Sequence, residues 1–200
     1  AEEFDQGKIK TGMLACRDCN TEYVIRNYVP RFIESKSYAD SFGAQWNAFA
    51  QVQLDDDHTV ESNLRFDSEI GWSESMLSGK SIIEIGSGAG RFVDVVSRRD
   101  ARLVVGIDLT SAVDASQNSL ANRDNVFFIQ ADVFNLPIKS VFFDYAYSIG
   151  VLHHTPEPQL AFEALVDIVR DGGDVGVSLY EISLYSRPNR NSLKVATIDL

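Results

Sequence analysis

A glycine-rich turn follows a short apolar run near the middle of the chain. Gly86, Gly88 and Gly90 stand at alternate positions, and Glu84 precedes them. Such glycines let a ligand approach bare backbone and reach the N-terminus of the next helix. A dinucleotide fingerprint would need its third glycine where this chain has Arg91. The spacing therefore favours a ligand without a pyrophosphate, whose amino-acid tail crosses the loop, and Glu84 could hold its ammonium group directly or through water.

Two further carboxylates follow later apolar runs. Asp108 could accept hydrogen bonds from both hydroxyls of a ribose, although an N-cap of the next helix is the alternative. Asp132 could accept a hydrogen bond from an adenine amino group, and the N–H of Val133 could donate to a ring nitrogen. A turn-forming Asp132 is the alternative. The two acids and the glycine turn together favour a nucleoside ligand.

His153 and His154 follow the next apolar run. A histidine with a pKa near neutrality could take a proton from a hydroxyl, phenol or amine. Alternatively, these rings stack on the pocket or cap the next helix. Tyr145, Tyr147 and Tyr180 are expected to pack rather than catalyse.

The elements that would position these residues alternate between short apolar runs and helical patterns, which is typical of a parallel sheet built from βαβ units. Because ligands bind at the carboxyl ends of such strands, the loops above are the expected site. The predicted strands are residues 81–85, 103–107, 126–129, 143–147 and 175–179. The predicted helices are residues 91–99, about 111–121, and one that starts near Pro156 and stops at Gly172 and Gly173.

Three segments are expected along the chain. Residues 1–37 predict a small β-rich appendage, and residues 38–80 predict two helices joined by a charged loop. Residues 81–200 form the α/β core. The stretch after the fifth strand is short, so either residues 195–200 add one edge strand or the sheet lacks its last strands.

Composition limits the function. With 200 residues, one main core is expected, and 44% apolar residues exclude overall disorder. The net charge of −11 is a poor match for nucleic acid or an anionic membrane. Cys16 and Cys19 are too few for a disulfide framework, and no apolar run could span a membrane. These features predict a cytoplasmic protein of unknown oligomeric state.

The core resembles the class I S-adenosylmethionine-dependent methyltransferases, over about residues 80–179. The similarity rests on IEIGSGAG (residues 83–90), GID (106–108), ADVFNLP (131–137) and FDYAYSIGVLHH (143–154). It implies a three-layer α/β/α Rossmann-like sheet, mostly parallel, and S-adenosylmethionine as cofactor. It also implies a set of cofactor contacts: Gly86, Ser87, Gly88 and Gly90 along the methionine part, Glu84 near its amino group, Asp108 on the ribose, Leu109 against the adenine, Asp132 and Val133 at the adenine edge, and Ser148 and Ile149 closing the pocket.

The N-terminal stretch resembles half of a small zinc ribbon of the tRNA-methyltransferase-activator type. The similarity lies in MLACRDCNTEYVI (residues 13–25) and VPRF (29–32). Zn²⁺ needs four ligands, whereas this segment offers only Cys16 and Cys19. We therefore expect no metal site within this chain, with either the upstream half missing or the metal lost. SFGAQWN (41–47) and LRF (64–66) also resemble the lid segment of those methyltransferases, in which Phe42 and Trp46 could contact substrate or simply pack.

The sequence thus predicts methyl transfer to an oxygen, nitrogen or carbon atom of a small molecule. His153 or His154 is an optional base. The alternatives are a non-catalytic cofactor-binding subunit or fragment, and an NAD-dependent oxidoreductase or epimerase, which Arg91 and the Asp132 loop disfavour.

Overall fold

The N-terminal appendage is a small antiparallel sheet. In the computed structural model, the described residues are 2–5, 7–33, 55, 60–180 and 193–199. The sheet contains, in spatial order, β1 (Glu3–Asp5), β2 (Lys8–Ala15), β3 (Glu22–Arg26) and β4 (Val29–Pro30). A small β-rich N-terminal element is therefore confirmed.

The core alternates strands with helices, as its apolar runs predict. Before the first core strand lie α1 (Glu61–Glu69) and the short α2 (Glu74–Leu77). The core then contains β5 (Ser81–Ile85), α3 (Arg91–Ser97), β6 (Leu103–Asp108), α4 (Ala112–Ser119), β7 (Val126–Gln130), β8 (Phe143–Ile149), α5 (Pro158–Ile168), β9 (Val169–Tyr180) and β10 (Leu193–Asp199). Short 3₁₀ turns lie at Val133–Asn135 and Leu152–His154.

The core strands form one mostly parallel sheet in the order β10-β9-β8-β5-β6-β7. The strands β5 to β9 are parallel, whereas β10 runs antiparallel to β9. Of the two alternatives for the end of the chain, an edge strand forms, and it runs over Leu193–Asp199. The chain moves outward from β5 in one direction to β7 and then returns to β8 on the other side of β5. Ligands bind in sheets of this type at that change of direction.

Helices cover both faces of the sheet. Alternate residues of the buried strand β5 point to opposite faces, so each face of this strand packs against a different set of side chains. Ile82 packs in a cluster with Phe66 and Trp72. Ile83 packs in another cluster with Leu165 of α5. The α/β fold class with helices on both faces is confirmed.

The predicted end of the last helix was wrong. The sequence placed Val169 in the helix and its stop at Gly172 and Gly173, whereas α5 ends at Ile168 and β9 begins at Val169. A Cβ atom on Gly173 would lie 2.2 Å from the backbone oxygen of Asp144 in β8. This glycine therefore permits a close approach of two strands rather than a helix cap.

The predicted helix pair before the core is described only in its second half. The first helix and the lid residues Phe42 and Trp46 lie outside the described residues. In α1, Phe66 is buried but Leu64 is 64% exposed. Leu64 and Phe66 therefore do not share one buried face of α1. No described helix is long and apolar enough to cross a membrane.

Candidate active site

One pocket lies where the sheet changes direction, at the carboxyl ends of β5, β6, β7 and β8. Its volume is about 280 Å³, near the lower end of the range for small-ligand pockets. The lining residues are Ile85, Gly86, Gly88, Ile107, Asp108, Leu109, Thr110, Ala131, Asp132, Val133, Gly150, Val151, Leu152, His154 and Thr155. The structure thus brings the loops that the sequence singled out together around one cavity.

The glycine turn forms the floor of this pocket. Gly86 has φ +79°, and a Cβ atom there would lie 2.4 Å from a methyl group of Val151. Gly90, at φ +83°, is the N-cap of α3. The N–H of Gly88 donates to Asp108 over 2.8 Å. The turn therefore combines left-handed backbone with close approach, and residues with a Cβ fit poorly at Gly86.

Asp108 lies at the end of β6 and joins two loops. One carboxylate oxygen accepts from Gly88, and the other accepts from both the N–H and the hydroxyl of Thr110, at 2.8 and 2.7 Å. Helix α4 has Ser111 as its N-cap, so Asp108 does not serve as that cap. Its carboxylate is instead held in a fixed orientation beside the pocket.

Asp132 lies beyond β7 on the neighbouring wall. Its side chain accepts a hydrogen bond from the N–H of Phe134 over 3.1 Å and caps the 3₁₀ turn. The turn-forming role is therefore present. Because Asp132 and Val133 also line the pocket, the turn places both residues where a base could be bound.

Glu84 lies next to the pocket but not on its surface. The side chain is buried in β5, and the Tyr147 hydroxyl donates to its carboxylate over 3.1 Å. Burial raises the pKa of Glu84 to about 8. The hydrogen bond from Tyr147 lowers this pKa, and the negative charge of Asp108 raises it by a smaller amount. Glu84 is therefore largely protonated at neutral pH in the structure described.

Three other predicted contact residues are buried around the glycine turn rather than in the cavity wall. Ser87 is 5% exposed. The Ser148 hydroxyl donates to the backbone oxygen of Ile85 over 2.8 Å, and Ile149 packs in the core with Tyr147. These residues support the walls of the pocket. Their contact with a ligand stays a prediction.

The two histidines occupy the 3₁₀ turn after β8. Their ring centroids are 4.0 Å apart, and only His154 lines the pocket. Burial, with a smaller contribution from His154, lowers the pKa of His153. His153 therefore favours its neutral form.

Sequence reasoning missed Thr110 and the segment Gly150–Leu152. Thr110 orients Asp108, and the Asp-Leu-Thr order is the signal that could have indicated this turn. Val151, two residues after the end of β8, packs on Gly86. Nothing in the local sequence pattern predicts that contact, because it joins residues 65 positions apart.

The cysteines do not complete a metal site within the described part of the chain. Cys16 and Cys19 are both free, and no group of three His, Cys, Asp or Glu residues among the described residues could hold a metal ion. The likeness to half of a zinc ribbon stays a prediction.

A comparison with protein families shows what the segment that holds the pocket is similar to. Residues 83–177 match the family described as "Methyltransferase domain". The matched segment, a little under half of the chain, is similar to methyltransferase domains. The match supports the resemblance to methyltransferases that the four motifs indicate.

Curated relatives match this domain over part of their length. A tRNA U34 carboxymethyltransferase of Ruthia magnifica subsp. Calyptogena magnifica is 27% identical over 103 residues, covering 50% of this chain and 32% of that protein. A ubiquinone biosynthesis O-methyltransferase of Coxiella burnetii is 25% identical over 117 residues, covering 58% of this chain and 46% of that protein. The chain therefore spans less than half the length of these relatives.

Solved structures share the fold. A methyltransferase from Aquifex aeolicus aligns with a TM-score of 0.55 and 14% identity, covering 68% of this chain and 73% of that chain. A chain in the complex between the Haloferax volcanii Trm112 methyltransferase activator and a methyltransferase aligns with a TM-score of 0.58 and 15% identity, covering 74% of this chain and 62% of that chain. At these identities the likeness shows the fold of the methyltransferase domain.

Proposed function

We propose that this protein transfers a methyl group from S-adenosylmethionine to an oxygen, nitrogen or carbon atom of a small molecule. The observation that carries the proposal is the pocket at the change of sheet direction, where a glycine turn and two carboxylates converge in a methyltransferase domain. A cytoplasmic location belongs to the same proposal, in keeping with two free cysteines.

The residues of the pocket fit S-adenosylmethionine. Asp108 is held for the ribose hydroxyls, and Asp132 with Val133 stands on the wall where the adenine edge would lie. Ile107, Leu109 and Val133 supply apolar walls for a planar base. Gly86 and Gly88 line the pocket with bare backbone, where the methionine part would lie. Glu84, Ser87, Gly90, Ser148 and Ile149 would act from behind this lining, with Glu84 toward the amino group.

The chemistry of the donor sets what the protein must do. When bound, S-adenosylmethionine supplies a methyl group on a sulfonium that is already a good leaving group. The chain's own task is to hold the acceptor in line with that methyl and to keep water out. The apolar lining around Ile85, Val151 and Leu152 suits this task.

His154 is the better placed of the two candidate bases. It lines the pocket, whereas His153 packs against it and has a lowered pKa. A neutral imidazole can accept the proton that an oxygen or nitrogen acceptor loses on methylation. We propose His154 in this role, with His153 keeping its ring in place.

The charges of the pocket favour a plain methyl donor and a small acceptor. Among the described residues that line it, the acidic ones are Asp108 and Asp132, and there is no Lys or Arg. The name of one relative implies a donor that carries a carboxymethyl group. The carboxylate of such a donor would enter this pocket, where no described lysine or arginine lines the wall to pair with it. One relative is named for tRNA U34 and another for O-methylation in ubiquinone biosynthesis. The acidity of this chain favours a small molecule over tRNA as acceptor.

Calorimetric titration of the chain with S-adenosylhomocysteine, S-adenosylmethionine and NAD tests the proposal. We expect the first two to bind and NAD not to bind. Asp108→Ala should weaken binding about 10- to 100-fold, because two charge-assisted hydrogen bonds to the ribose are lost. Asp124→Ala removes an exposed carboxylate elsewhere and serves as the matched control. Tight NAD binding, or no binding of any nucleoside, would overturn the proposal.

A further inference from the structure

The N-terminal sheet contacts the core beside the pocket, at the edge strand β7. Arg31, directly after β4, forms a parallel bridge with Gln130, the last residue of β7. The N–H of Phe32 donates to the backbone oxygen of Gln130 over 2.8 Å. The residues that follow Gln130 are Ala131 and Asp132, which line the pocket. The appendage thus binds the strand end from which one wall of the pocket starts.

The side chain of Arg31 reinforces this contact with two partners. Its guanidinium donates to the side-chain oxygen of Gln130 and to Asp114 of α4, each over 2.6 Å. The Arg31 side chain is 11% exposed. A mostly covered arginine that donates to a carboxylate and to an amide on two different residues is well oriented, because its donors are fixed in one plane.

Arg31 also fixes which way the Gln130 amide points. A guanidinium can only donate, so the amide must turn its oxygen toward Arg31. Its nitrogen then points to the other side and donates to the backbone oxygen of Leu109 over 3.1 Å. Leu109 follows Asp108 and lines the pocket. One glutamine therefore connects the appendage to the loops after both β6 and β7.

We propose that Arg31 is a positioning residue for the cofactor pocket. Through its contact with Gln130, Arg31 holds the loops of Leu109 and Asp132 in the arrangement that binds the nucleoside. This inference rests on the proposed function. Its consequence is that the N-terminal sheet is part of the binding apparatus of the core, although none of its residues line the pocket.

Gln130→Glu separates positioning from docking. The glutamate still accepts from Arg31, but it loses the donor to Leu109 and places an oxygen against that backbone oxygen. We expect the dissociation constant for S-adenosylhomocysteine, measured well below the unfolding midpoint, to rise about tenfold. The new ion pair with Arg31 offsets part of the stability lost at the contact between the two oxygens, so the thermal unfolding midpoint should fall only slightly. A role in stability alone would leave binding unchanged below the midpoint.

Arg31 variants give a second, independent measurement. Arg31→Met should lower the unfolding midpoint and weaken S-adenosylhomocysteine binding about three- to tenfold, whereas Arg31→Lys, which retains one donor group, should recover part of the affinity. Arg26→Met, on an exposed position of β3, is the control and should change neither. If Gln130→Glu does not fold, the affinities of Arg31→Met and Arg31→Lys for S-adenosylhomocysteine test the positioning role.

The outcomes distinguish this inference from the proposed function. Failure of the unaltered chain to bind S-adenosylhomocysteine would overturn the proposed function and this role with it. Binding by the unaltered chain with equal affinity in the Gln130 and Arg31 variants would overturn the positioning role alone.

Discussion

Glu84 is an acidic side chain held away from water in the central strand. It is 1% exposed, and Tyr147, which donates to it, is fully buried. Burial and the nearby Glu84 charge raise the pKa of Tyr147, so neither group favours ionisation. At neutral pH the pair is a hydrogen-bonded neutral unit beside the pocket. An incoming ammonium group would favour the ionised form of Glu84.

The raised pKa of Glu84 predicts a pH dependence of stability. Between the unfolded value near 4.5 and the folded value of about 8, the folded chain keeps a proton that the unfolded chain releases. Stability therefore falls as pH rises through this window. The Glu84→Gln variant has no proton to release at this position and should not lose stability in this way. Within this pH window, its free energy of unfolding relative to that of the unaltered chain should therefore increase by on the order of 1.4 kcal/mol per pH unit.

Urea unfolding of both proteins between pH 5 and pH 8 measures this difference. Comparing slopes rather than single values cancels any constant cost of the amide in the buried site. Glu22→Gln, at an exposed position of β3, is the control and should follow the unaltered chain. Parallel stability curves for the unaltered chain and Glu84→Gln would contradict the assigned pKa.

At the scale of the element, β9 shows where strand and helix signals compete. Gly172 and Gly173 directly follow an apolar helical pattern, which is typical of a helix end. In the structure they lie inside a strand that pairs with β8, where the register shifts between Phe143 and Tyr145. The two glycines differ in their surroundings. Gly172 has φ +73° and open space, whereas Gly173 faces the backbone of β8.

Replacing each glycine by alanine should therefore give unequal losses of stability. Gly172→Ala should cost about 1 kcal/mol, because only left-handed backbone opposes it. Gly173→Ala should cost about 3 kcal/mol, because its Cβ would overlap the Asp144 backbone oxygen and force the strands apart. Urea unfolding measures both, and each variant is the control for the other. Equal costs, or a larger cost for Gly172→Ala, would contradict the close approach.

The elements that the sequence predicted well are those in which one signal dominates. The runs at β5 and β7 are short, apolar and bounded by turn residues, and their predicted bounds agree with the structure to within one residue. The site loops follow from strand ends, so Asp108 and Asp132 could be located from the sequence. Contacts such as Val151 on Gly86 and Arg31 on Gln130 join distant residues. They depend on the packed sheet and have no local pattern.

In the whole molecule, acidic residues outnumber basic ones, and several of the basic side chains form ion pairs within the chain. Several arginines are ion-paired within the described part of the chain, including Arg31 with Asp114, Arg98 and Arg123 with Asp94, and Arg99 with Asp67. An arginine held by a carboxylate is a weak partner for phosphate. Within the described residues, these ion pairs engage part of the basic side chains of a chain whose net charge is −11.

This charge distribution predicts that the chain does not bind tRNA. Binding to nucleic acid draws its affinity from phosphate contacts with Lys and Arg, and it weakens steeply as salt rises. We expect fluorescence anisotropy of a labelled tRNA to show no binding at low salt, with or without S-adenosylhomocysteine. A basic RNA-binding protein at the same concentration is the positive control. Binding whose logarithm falls linearly with the logarithm of salt concentration would contradict the small-molecule acceptor, because it would require a phosphate-contacting surface that the net charge opposes.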